Sequence, residues 1–162
     1  MNYPSPLANS DGSANGLGIG TRVGVHLAGV FFAGLDVRYS RLSFTDNSTN
    51  YDATADAFNW GPVAGMQTPL IGLRVWTTFI LGANMDPARS GALDVKLNDG
   101  IGYRLGVGYH VLPVSVNLEY QAVNYGTTSL EALGPFSTNT DFSSVELSDK
   151  SWILSVSMPL AL

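Results

Sequence analysis

Cysteine is absent, so the chain has neither a disulfide framework nor thiol chemistry. Charge is scarce as well. Asp, Glu, Lys and Arg make up 13% of the 162 residues, about half the share usual in a soluble domain. Lysine occurs only as Lys96 and Lys150, and histidine only as His26 and His110. Two histidines without a third ligand make a poor zinc site. Nothing places a serine and an acid around either one, so no metal, cofactor or catalytic triad is expected. Eight basic residues against 13 acids leave a net charge of −5, which argues against a nucleic-acid partner. No run approaches the roughly 18 consecutive apolar residues of a membrane helix. The opening MNYPSPLANSDGSANG lacks the basic start and apolar core of a secretion signal.

What is present is alternation. Apolar residues recur at every second position almost everywhere, which predicts strands. Seven segments stand out: 17–26, 31–44, 58–67, 73–85, two around the stretch GYRLGVGYHVLPVSVNLEYQ (102–121), and 152–162. The phase slips near Arg41, which marks a bulge or the end of the alternating stretch, and Pro62 in mid-strand predicts another bulge. Connections alternate in length. LAGV (27–30), TPLIG (68–72) and VLP (111–113) are short; 45–57, 86–96 and 126–150 are long, polar and acidic. The glycines of GLGIG and GYRLGVG fall at every second position with no helix to follow, unlike a nucleotide-binding loop. The expected architecture is an all-β, antiparallel up-and-down meander over 17–162, preceded by a polar segment, 1–16.

Which face lies inside is decided by the residues between the apolar ones. They are Gly, Ser, Thr and Asn with a few charges, where a sheet facing water would carry Lys and Glu. The inverted arrangement accounts for this: the apolar face meets lipid and the small polar face fills a narrow lumen. Arg22, Asp36, Arg38, Arg74, Arg104 and Glu119 then point inward and must pair. Lipid would meet Val23, Val25, Leu35, Val37, Val75, Phe79, Leu105, Val107, Val116, Leu118, Leu154 and Val156. Phe58, Trp60, Tyr120 and Trp152 lie near the long-loop end, and Phe31 and Tyr109 near the short-turn end, like two interfacial girdles. The competing arrangement, a soluble lipocalin-like carrier, puts the apolar face inside.

The pattern resembles the small OmpA/OmpX-type outer-membrane barrels of Gram-negative bacteria, carried by GLGIGTRVGV, FFAGLDVRYS and SWILSVSMPL. Such barrels commonly end in an aromatic residue, whereas this chain ends in Leu162. The resemblance implies a transmembrane β-barrel of about eight strands in the outer membrane, with short turns toward the periplasm. Only seven strands are visible, and single-chain bacterial barrels have even numbers. The eighth would come from an upstream segment, from residues 2–14 despite Pro4 and Pro6, or from another chain; an odd-stranded barrel closing in parallel is the other solution. The expected role is non-enzymatic. Membrane lipids are the surroundings, and the loops 45–57, 86–96 and 126–150 are the candidate surface for a partner. A narrow channel and a lipid-modifying enzyme are the alternatives within the membrane.

Overall fold

The computed structural model describes residues 12–46, 51–69, 72–88, 93–111, 114–133, 136–142 and 147–158. They form eight strands: β1 (Gly12–Leu27), β2 (Phe31–Asp46), β3 (Tyr51–Gln67), β4 (Leu73–Pro87), β5 (Leu93–Val111), β6 (Val114–Leu133), β7 (Phe136–Phe142) and β8 (Leu147–Ser157). Each strand from β1 to β6 pairs antiparallel with the next. The 20-residue β6 then carries two partners in tandem. Its residues 128–133 pair with β7 and its residues 115–125 with β8. Eight strands therefore occupy seven positions in an up-and-down meander.

Tight turns join the strands at the end we call lower. At β1–β2, Ala28 and Gly29 take positive φ (53° and 70°), and Val30 N–H reaches back to the Leu27 carbonyl at 3.4 Å. At β3–β4, Gly72 (φ 66°) lets the chain turn, and its N–H donates to Thr68 O at 3.1 Å. Thr68 Oγ1 accepts from Leu73 N–H at 3.0 Å and ties off the strand entry.

Three expectations need correction. Strand pairing begins at Gly12, so the polar segment is shorter than 1–16, and residues 12–14 belong to β1 and cannot supply a separate eighth strand. Residues 1–11 lie outside the described residues. The stretches 45–57, 86–96 and 126–150 are not mainly loops: β2 and β3 pair as far as Asp46 and Tyr51, β4 and β5 reach Pro87 and Leu93, and β6 and β7 reach Leu133 and Phe136. A ladder of backbone hydrogen bonds needs no apolar side chains, so the strands continue beyond the alternating pattern. At Arg41 the register runs on without a shift, through Leu17↔Arg41 and Arg41↔Asp56, so the phase change there marks the end of the apolar stretch. At Pro62 the β3–β4 register does shift, between Trp60 and Val63, as a residue lacking an N–H requires.

The sheet curls, and its two faces have opposite chemistry. The convex face carries an apolar belt. It spans residues 17–27 on β1, 31–39 on β2, 58–66 on β3, 73–81 on β4, 101–109 on β5, 116–122 on β6 and 152–158 at β8. Polar residues bound it above: Asn15, Arg41, Asp56, Asn84, Asp99, Asn124 and Lys150, all exposed. On β1 the belt covers ten rises of about 3.3 Å, or ~25 Å once tilted by about 40°.

The concave face is buried in layers. Above sits an apolar cluster containing Ala55, Ala57, Ile80, Ala83, Met85, Leu97, Val123 and Tyr125. Below sit Phe32, Val63 and Trp76. Charged and amide side chains lie between them. The interior is thus less polar than alternation implies. One reason is a register shift between Ile80 and Ala83, which moves the buried phase of β4 from even to odd positions.

Trp76 fits because Gly106, on the neighbouring strand, has no side chain: a Cβ there would overlap the indole. Gly106→Ala is expected to push the ring out of place at a cost of about 1–3 kcal/mol. Near-ultraviolet circular dichroism together with a urea titration checks this, and an unchanged aromatic spectrum would refute it.

Among the described residues β1 has one neighbour, β2, and β8 has one, β6. Both edges run in the same direction, from the upper end to the lower, so the sheet is curled but open.

Candidate functional site

The middle layer of the concave face centres on Asp36 of β2 and Arg104 of β5. Their side chains are 2% and 0% exposed. The two strands are three positions apart in the sheet, yet Arg104 Nη1 donates to Asp36 Oδ1 at 2.8 Å. The curl makes this reach possible. Asp36 also accepts from Arg22 of β1, through Nη2 at 2.7 Å, and from Arg38 Nε at 3.0 Å. One carboxylate thus serves three guanidinium groups. Arg38 extends the layer to β6, where its Nη2 meets Glu119 Oε2 at 2.7 Å. Glu119 accepts in turn from Ser155 Oγ of β8 at 3.1 Å.

Arg104 is held on the remaining sides by neutral oxygens. Gln121 Oε1 accepts from its Nε at 3.1 Å and its Nη2 at 2.6 Å, and Asn59 Oδ1 accepts from the same Nη2. Glu119 Oε2 lies 3.8 Å from Arg104 Nε. A fully buried guanidinium is tolerated only when its donors are met in this way. The layer draws side chains from β1, β2, β3, β5, β6 and β8. It ties opposite sides of the curled sheet where backbone hydrogen bonds do not.

Five of the six charged residues singled out above meet in this layer. The sixth, Arg74 of β4, sits below it. Its Nη2 donates to Asn117 Oδ1 at 3.3 Å and to Ser157 Oγ at 3.4 Å, and among the described residues it forms no ion pair with a carboxylate. Its guanidinium carbon is 5.8 Å from the Trp76 ring centre, and that of Arg22 is 4.8 Å away, so two cations flank one indole. Alternation also puts Asn59, Asn117 and Gln121 on this face, and their amides satisfy the arginines. Amides of this kind carry no charge, and a search for charge partners passes over them.

Val23, Val25, Leu35, Val75, Phe79, Leu105, Val107, Val116, Leu118, Leu154 and Val156 are exposed on the convex belt, and Val37 is half-buried there. Phe58, Trp60, Tyr120 and Trp152 lie toward its upper side, and Phe31 and Tyr109 at its lower edge. Tyr39 and Tyr103 join the upper group. The Tyr103–Tyr120 and Tyr120–Trp152 ring centres are 6.4 and 5.2 Å apart.

His26 and His110 lie near the lower end. His26 faces Phe32 with ring centres 6.0 Å apart, and His110 Nδ1 is 2.9 Å from Ser115 Oγ. Among the described residues no three metal-ligating side chains converge. At the upper end, beyond the belt, burial pushes the Asp149 carboxyl above its ordinary value, against hydrogen bonds from Gln121 and Ser151. Burial, and to a lesser degree the charge of Asp149, raises the Tyr125 phenol.

Four arginines against Asp36 and Glu119 leave the middle and lower concave face positive, with Asp149 above them at the upper end. Any residual conductance of the folded chain in planar bilayers is therefore expected to be anion-selective. Cation selectivity would contradict this charge assignment.

Comparison with family models, curated proteins and solved structures found no match to this chain.

Proposed function

We propose that this chain is a small integral outer-membrane β-barrel protein of the OmpA/OmpX type. Its role is structural or surface-interacting, and it is not an enzyme. One observation carries the reading: the molecule is inside out relative to a water-soluble sheet. Twenty-six large apolar side chains are exposed among the described residues, on a continuous belt, while Asp36, Arg104 and Glu119 are buried behind them. A soluble monomer rarely exposes an apolar patch beyond a few hundred Å². Lipid removes the penalty, and the belt matches the ~25 Å apolar band of membrane barrels. The soluble-carrier alternative needs the same side chains on the concave face.

In this reading the lower turns face the periplasm and the extended upper strands project outside. Side chains crossing the lumen from β2 to β5 and β6 favour a plug over an open channel. The lumen closes when one more strand, running upward, pairs antiparallel with both β1 and β8. The test is detergent extraction followed by gel electrophoresis with and without boiling. A chain that needs detergent and migrates differently after heating is expected. A chain that stays soluble without detergent and migrates identically refutes the reading.

A further inference from the structure

The convex face is not uniformly smooth. Between β5, β6 and β8 lies an open apolar groove of about 470 Å³, lined by Leu105, Gly106, Val107, Leu118, Tyr120 and Trp152. Its floor falls at Gly106, between two cross-strand rows. Val107, Leu118 and Leu154 form the lower row; Leu105, Tyr120 and Trp152 form the upper. The next row up is Tyr103, Ala122 and Lys150, and above it stand Ile101, Asn124 and Ser148.

This column changes chemistry in one direction. On β6 and β8, aliphatic side chains come first, then Tyr120 and Trp152, then Ala122 beside Lys150, then the amide of Asn124 and the hydroxyl of Ser148, while β5 stays apolar through Tyr103 and Ile101. Lys150 is exposed and has no carboxylate partner among the described residues. The other cation at this height, Arg41, lies 3.9 Å from Asp56. The remaining charged residues along the upper boundary, Asp56, Asp86 and Asp99, are acidic and repel an anion. Among the described residues of this boundary, Lys150 is thus an exposed cation without a carboxylate partner, a place that attracts a phosphate. It sits directly above the groove, where a lysine stem runs along apolar surface and lifts its ammonium to the interface.

We propose that this column is a binding site for one anionic phospholipid, with an acyl chain in the groove and the headgroup phosphate on Lys150. The inference rests on the membrane reading and names a specific lipid partner within it. Tyr120 and Trp152 supply the flat contacts for the upper part of the chain, and Ala122 leaves room beside Lys150 for the headgroup.

Trp152 is the natural reporter. In a Trp60→Phe background it is the outward-facing tryptophan, since Trp76 is buried inside. The full chain is reconstituted into vesicles holding a minor fraction of acyl-brominated phosphatidylglycerol or, in parallel, acyl-brominated phosphatidylcholine, and fluorescence quenching gives the relative association of each. Phosphatidylglycerol is expected to be preferred about fivefold, the worth of one lysine at an anionic surface. The preference is expected to vanish in Lys150→Gln and persist in Lys150→Arg. Equal quenching by the two lipids, or a preference unchanged in Lys150→Gln, overturns this inference and leaves the barrel reading standing. A chain that fails to float with the vesicles overturns both.

Discussion

Replacing Asp36 by alanine is expected to cost about 3–5 kcal/mol, the usual penalty for leaving a buried ionic partner uncompensated. The variant would leave Arg22, Arg38 and Arg104 facing one another with Glu119 as the remaining acid in the layer. Arg104 suffers most, because it is fully buried and cannot turn its charge to water. Refolding from urea into detergent micelles, followed by the heat-shifted gel band, reads the loss. A cost below about 1 kcal/mol, typical of exposed pairs, would mean that water enters the layer freely and that it is no structural core. Asp36→Asn is the milder control: it keeps the shape and one oxygen acceptor, but removes the charge and turns the other oxygen, which also accepts from an arginine, into an amide donor. Its cost is expected to fall between those of wild type and Asp36→Ala.

Leu35→Arg tests the other face. Leu35 lies midway up the β2 belt, 44% exposed, between Phe31 below and Tyr39 above. An arginine at the centre of a lipid-facing band costs roughly 2–4 kcal/mol, falling to about 0–1 at the interfaces. The same substitution at Ser43, on β2 above Arg41, is therefore expected to be nearly neutral. The difference in urea midpoint between the two variants in lipid vesicles is the measurement. If Leu35→Arg were as mild as Ser43→Arg, the convex face would not meet hydrocarbon, and the membrane reading would fail with it.

Much of this molecule could be read from alternation, and the reason lies in the belt. Wherever one face carries the apolar belt and the other the charged layer, period-two contrast is strong. Leu17 to Leu27 and Phe31 to Tyr39 are legible on that ground. Above the belt the contrast fades. Residues such as Asp52 and Asp94 read as loop, although their backbones pair in β3 and β5. The charge layer was legible because Arg and Asp stand out among glycines. The apolar layers above and below it were less so. Trp76 and Ile80 share their phase with Arg74, and a stripe of mixed chemistry carries no mark of which parts pack together. Ala83 and Met85 enter the interior only through a register shift, which depends on cross-strand pairing that no local pattern encodes. The tandem of β7 and β8 along β6 is likewise a long-range arrangement.

If the sheet spans a bilayer, the odd number of crossings made by the described residues also sets sidedness. β1 starts at the upper end and β8 ends at the lower, so with those crossings alone a tag before Gly12 and one after Met158 would fall on opposite sides. A completing strand ahead of β1 would carry the chain back across and bring both tags to the lower side. A strand contributed by another molecule would leave them apart. Protease access to two such tags in sealed vesicles thus distinguishes a barrel that closes on itself from one that borrows its final wall.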